Sequence, residues 1–181
     1  MGPINNDVVY SSPLCGNERI AATTAFSYDR VSRGIGSFRG GNRVHEEYIQ
    51  NLFNNCRVGK LLGIEVYDLQ EGHAKGRLRI LGEHINVFGT VHGGILFAFA
   101  DHIGGACGNT LGKKSVLVES SIQFMKGITE GETLFAEARL THRGKKIGRI
   151  DTTIVGENKE LVAIMHMVFY IRSDKHTAAT A

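Results

Sequence analysis

Cysteine is scarce and unpatterned in this 181-residue chain. Cys15, Cys56 and Cys107 are an odd number without metal-ligand spacing, which argues against a disulfide framework and against a metal site. An excess of one charge is also missing. With 21 Lys plus Arg against 18 Asp plus Glu, the formal net charge is only +3, so no global field points to nucleic acid. No apolar run reaches transmembrane length, because Gly104 and Gly105 interrupt the best candidate. The first 18 residues hold no Lys or Arg and no hydrophobic region of signal-peptide type. Neither a membrane nor nucleic acid is therefore expected as a partner, and a reducing, cytoplasmic setting is the default. What is present is a chain 42% hydrophobic, enough to bury one core rather than two.

Three segments are expected. Residues 1–43 carry five Arg and no Lys among many Ser, Thr and Gly, with little periodicity. Arg30, Arg33, Arg39 and Arg43 offer a basic arm, but the composition fits a solvated, flexible extension better. Residues 44–172 carry the patterned core, and 173–181 are a short tail. Within the core, Tyr48, Ile49, Leu52 and Phe53 have helical spacing, which predicts an amphipathic helix over 44–58. Strands are expected at 61–69 and 73–81, joined by a turn at Gln70-Glu71-Gly72. Further strands are expected at 115–125, 132–142, 147–155 and 161–171. Between them a helix over 92–109 is apolar on all sides, so it must be covered nearly all round. A curved antiparallel sheet wrapped around one helix, an α+β fold, meets that demand.

The chemistry concentrates at the start of that helix, in Asn86-Val87-Phe88-Gly89-Thr90-Val91-His92-Gly93-Gly94 with Asp101 beyond. Backbone N–H groups at a helix N-terminus suit a developing oxyanion. A carboxylate in apolar surroundings suits a base or a nucleophile. Gly93 and Asp101 are eight residues apart, about 12 Å along a helix, whereas both must come within about 3 Å of the reacting atoms. One chain cannot bring them together. Two antiparallel helices across a two-fold axis can, so the spacing asks for a homodimer.

The pattern Asn-x-x-Gly-x-x-His-Gly-Gly, followed by seven residues and Asp, resembles the hotdog-fold acyl-CoA thioesterases, in the branch named after the phenylacetic acid degradation thioesterase. Asn86, Gly89, His92, Gly93, Gly94 and Asp101 match position by position. The resemblance implies a hotdog fold, a coenzyme A thioester substrate, no cofactor or metal, and sites at the subunit interface of dimers that often pair into dimers of dimers. It implies Gly93, Asn86 and Asp101 as the catalytic residues, with Asp101 acting either as base or as nucleophile. His92 and Gly94 are expected at the substrate, with His92 ordering the loop rather than acting as a base. Phe88 is expected to line an acyl or aryl pocket, with Phe97 and Phe99 as further candidates. Arg143 and Lys145, in a hairpin with Lys146 and near Arg149, are candidate contacts for the CoA phosphates.

Two positions depart from the family. Many relatives carry Ser or Thr on the strand after the helix where this chain has Leu117; Ser120 and Ser121 are near but in other registers, and Glu119 reads as an exposed strand residue. Relatives often have Phe-Leu-Arg-Pro where Phe124-Met125-Lys126-Gly127 stands here. The alternatives are a non-catalytic acyl-CoA-binding regulator and a hotdog hydratase or dehydratase. Asp101 and Asn86 argue for the hydrolase over the first, and the His and carboxylate arrangement of the second is not found.

Overall fold

A computed structural model describes residues 43–176. The extension of residues 1–42, with Cys15 and all of the candidate basic arm except Arg43, lies outside the described residues. Helix α1 (Arg43–Asn54) buries Ile49 completely, but the expected helix does not continue to residue 58. The chain breaks at Cys56 and starts a short second helix, α2 (Arg57–Leu62), where a strand had been expected from Leu61. Gly63, at φ 73°, ends α2 in the left-handed conformation, and its N–H returns to the carbonyls of Gly59 and Lys60. The apolar pair Leu61-Leu62 belongs to this turn of helix and not to the sheet.

Six antiparallel strands follow, in the spatial order β1-β2-β4-β5-β6-β3. Strands β1 (Ile64–Gln70) and β2 (His73–Arg79) close through Gly72, at φ 72°. The long helix α3 (Gly93–Asn109) comes next, then β3 (Lys113–Phe124), β4 (Thr133–Arg143), β5 (Ile147–Val155) and β6 (Leu161–Lys175). Strand β6 runs past the expected end at 171, because Lys175 still pairs with Lys113, so the boundary set at 172 falls inside a strand. The inward residues Ala74, Leu78, Leu134, Ala136, Ile150, Ile154, Met165 and Met167 pack on α3. A Cβ on Gly76 would overlap the Ile103 side chain, so this glycine lets the helix lie close on the sheet. The architecture is the hotdog fold.

The covering of α3 differs from expectation in one respect. Its C-terminal half is enclosed, with His102, Ile103, Ala106, Cys107 and Asn109 all buried. Toward the N-terminus, Gly94, Phe97, Ala98 and Asp101 are not fully buried, and they form one stripe at helical spacing. The described residues leave that stripe uncovered.

The two edges of the sheet are treated differently. On β1, the Asn54 amide donates to the Val66 carbonyl at 2.9 Å and accepts from the Val66 N–H at 2.8 Å, and Gln50 adds a bond to the same carbonyl at 3.1 Å. Side chains of α1 thus occupy edge groups that another strand would need. Strand β3, 12 residues long, pairs among the described residues with β6 alone and exposes Val116, Val118 and Phe124. A long apolar edge of this kind invites another strand. Among the described residues no helix is long and apolar enough to cross a membrane.

Candidate active site

The loop before α3 is held by its own backbone and by Asn86. The Asn86 N–H donates to the Thr90 carbonyl at 2.7 Å, and Gly89, at φ 79°, donates to the Asn86 carbonyl at 3.1 Å. The Asn86 side-chain oxygen accepts from Phe88 N–H (2.8 Å) and Thr90 N–H (3.3 Å), and its amide donates to Thr90 Oγ1 at 3.2 Å. Asn86 therefore ties the turn together. Thr90, unremarked in the motif, is its partner. The buried His84 accepts the His92 N–H on its carbonyl at 2.8 Å and so anchors the end of the loop.

His92 caps α3, its Nδ1 accepting from the Gly94 N–H at 2.9 Å. The two residues expected at the substrate are thus bonded to each other. The Gly93 N–H has no acceptor among the described residues. It faces a pocket of about 310 Å³ lined by Asn86, Thr90, Leu96, Phe124, Met125 and Lys126, among others. A Cβ at position 93 would lie 3.1 Å from the Phe124 ring, so glycine keeps the approach to this amide open. An unpaired N–H at the positive end of a helix is a ready donor to an oxygen that gains charge.

Asp101 does not line that pocket. Two helical turns and more along α3, it stands on the uncovered stripe, half-buried, with no hydrogen bond or ion pair among the described residues. Burial pushes its carboxyl above the ordinary carboxylate range. Behind it, His102 is buried against the edge of Phe53, at 5.2 Å between ring centres, and its Nε2 has no hydrogen-bond partner. Burial holds that imidazole below its usual value. The chain thus carries a donor site and a carboxylate site, separated as the spacing required.

The other candidates are placed as follows. Phe88 projects from the tip of the loop, 87% exposed, beside an equally open Val87, and does not line the pocket within one chain. Phe97 lies on the uncovered stripe, and Phe99 is wholly buried core. Arg143 and Lys145 are not brought to this pocket in their own chain. The pocket lies at the Phe124 end of β3 while the hairpin lies at the Ser115 end, about 30 Å of strand away, and Arg143 is bound to Glu71 at 2.6 Å. Leu117 is partly buried on the helix-facing side of β3. An irregularity at Val118 shifts the register, turning Glu119 outward and Ser120 inward. Lys126 is paired with Glu160 at 2.9 Å on the pocket rim. Phe124 and Met125, as pocket walls, were legible only as a departure from a motif. Among the described residues there is no cluster of three metal-ligating side chains.

A pocket built on an open helix-start amide, on a hotdog sheet with a lone half-buried carboxylate farther along the same helix, defines the class of protein as a hotdog thioester hydrolase. Comparison with known proteins agrees. Residues 88–163 match the model of the Thioesterase superfamily. A putative esterase of Archaeoglobus fulgidus is 31% identical over 119 residues, covering 66% of this chain and 77% of that protein. The acyl-coenzyme A thioesterase PaaI of Escherichia coli is 31% identical over 113 residues, covering 62% of this chain and 81% of that protein. The solved E. coli PaaI structure aligns with a TM-score of 0.70 at 27% identity, over 74% of this chain and 98% of that one. A Streptococcus mutans protein solved with acetyl CoA bound aligns with a TM-score of 0.61 at 25% identity, over 62% of this chain and 91% of that one. The chain belongs to the thioesterase superfamily, in its PaaI-like branch.

Proposed function

We propose that this protein is an acyl-CoA thioesterase that hydrolyses an acyl- or aryl-CoA thioester with water to the free acid and CoA, at a site shared between two protomers. One observation carries the shared site. The unpaired Gly93 N–H and the unpartnered Asp101 carboxylate lie on one rigid helix about 12 Å apart, too far for one carbonyl. The open β3 edge and the uncovered stripe on α3 are the surfaces a second copy would cover, and a two-fold axis would set Gly93 of one protomer beside Asp101 of the other. A dimer of dimers and a cytoplasmic setting belong to the same proposal.

In this reading the thioester oxygen accepts the Gly93 N–H, which stabilises the charge it gains when the carbonyl carbon is attacked. Asn86 holds the loop that presents this amide. Asp101 of the partner takes a proton from water as its oxygen bonds to carbon, or attacks that carbon itself. The carbon–sulfur bond then breaks, and the CoA thiolate leaves and takes up a proton; where Asp101 is the nucleophile, water then splits the acyl–aspartyl anhydride, which frees the acid and restores the carboxylate. Phe88 and Phe97, exposed in the single chain, become walls for the acyl group once a partner approaches.

Mixing chains tests the sharing. Asn86→Ala and Asp101→Asn homodimers should each be nearly inactive. Refolded together in equal amounts, about half of the dimers are mixed, and each mixed dimer holds one intact site, so activity should return to about a quarter of wild type. Mixed dimers verified by mass spectrometry that recover nothing would end the shared-site reading.

A further inference from the structure

We propose that Lys113 and Lys175 bind the phosphates of a CoA thioester whose acyl end is seated on the other protomer. This rests on the shared-site reading. The two lysines stand directly opposite each other on β3 and β6, an arrangement in which like charges repel. Neither has an ion pair among the described residues, although Lys114 beside them is matched to Asp174 at 3.3 Å. They line a cavity of about 420 Å³ at the end of the sheet, together with His45, Glu46, Glu71 and the turn 110–112. Of the two carboxylates there, Glu71 is already held by Arg143, which leaves Glu46, in the first turn of α1. Two adjacent unmatched cations suit a group with several anionic oxygens, as a phosphate has.

Within one chain these lysines are far from Gly93. Gly93 faces Phe124 and Gly108 faces Ser115, so α3 and β3 run level by level in opposite directions. Gly108 lies about 22 Å along the axis from Gly93, and Lys113 about 6 Å beyond that, which places the pair about 28 Å away. A two-fold axis that sets Gly93 beside the partner's Asp101 reverses the count, since Asp101 itself is about 12 Å along. The lysine pair of the other protomer then falls about 16 Å beyond Gly93, on the side away from its own chain's pair. Pantetheine, two amides and their methylene spacers between sulfur and diphosphate, spans about this distance, the reach of about five extended residues. The hairpin with Lys145 and Lys146 is at the same end of the sheet, the Lys146 carbonyl accepting from the Ile171 N–H at 2.8 Å.

The test compares acyl-CoA with the same acyl group on pantetheine, which lacks phosphates. The Lys113→Met, Lys175→Met double variant should raise KM for acyl-CoA about tenfold with kcat retained, and leave KM for acyl-pantetheine unchanged. An unchanged KM for acyl-CoA, or an equal rise with both substrates, overturns the proposal. Mixed dimers assign the chain. The lysine changes placed on the Asn86→Ala chain, which supplies Asp101 to the working site, should raise KM for acyl-CoA. Placed on the Asp101→Asn chain they should not. The opposite assignment overturns the proposal. Absence of any rescue in unmodified mixed dimers instead removes the shared site, and the lysine pair, about 28 Å from its own Gly93, falls with it.

Discussion

Asp101 is destabilising where it is most useful. Its carboxyl is half-buried with no donor or cation against it among the described residues, and burial raises its folded pKa above the ordinary 3.8. Between the unfolded value and the raised one, the folded chain binds the extra proton. Stability from this group therefore falls as pH rises through that window, and above the folded pKa the whole deficit is present. Asp101→Asn removes the charge at nearly constant shape. It should raise Tm at pH 7, and the gain should vanish below the unfolded carboxylate range. The same change should cut kcat by at least about a hundredfold, the scale of an acid–base contribution. Scanning calorimetry across pH checks the first outcome and a free-CoA release assay the second. Full turnover in the folded variant would sink the role given to Asp101, and a lowered Tm at pH 7 would contradict the account of its burial.

At the scale of elements, the two edge strands differ because of what the neighbouring helix offers. Asn54, the last residue of α1, bonds both backbone groups of Val66, so β1 is closed to further pairing there, while nothing among the described residues pairs with the outer edge of β3. Asn54→Ala should leave the Val66 N–H without that partner and cost about 1–3 kcal/mol. Urea denaturation should show a lowered midpoint, and an unchanged one would mean that the edge is satisfied in another way. The α1 ending was only partly legible. Of Tyr48, Ile49, Leu52 and Phe53, which marked the apolar face, Leu52 is exposed, and nothing in the pattern says that an asparagine side chain will serve as a strand partner. Likewise the irregularity at Val118 turns Ser120 toward the helix, whereas strict alternation from Ser115 and Leu117 would have turned Glu119 and Ser121 inward. A shift of register depends on the partner strand, which the local pattern does not contain.

For the whole molecule, the described elements run from α1 to β6, and the match to the thioesterase superfamily, residues 88–163, lies within them. Deleting residues 1–42 should accordingly leave dimer formation and hydrolysis in place. Size-exclusion chromatography and the CoA-release assay would measure both, and an inactive or insoluble truncation would show that the segment completes the domain or the site.

The all-round apolar helix, most of the antiparallel strands, and the separation of Gly93 from Asp101 were legible in the chain alone, because periodicity and helical rise are local properties. The sequence also carried the motif by which the family is recognised. Which N–H groups at the start of α3 remain free is a matter of the folded chain, since His92 takes Gly94 and leaves Gly93 open to the pocket. The tertiary structure alone turned Asn86 into the residue that ties the loop, placed Arg143 and Lys145 at the far end of the sheet from that pocket, and set Lys113 against Lys175. Those outcomes depend on which strands lie side by side and which end of each faces which. They are fixed by packing between segments far apart in the chain, where no local pattern reaches.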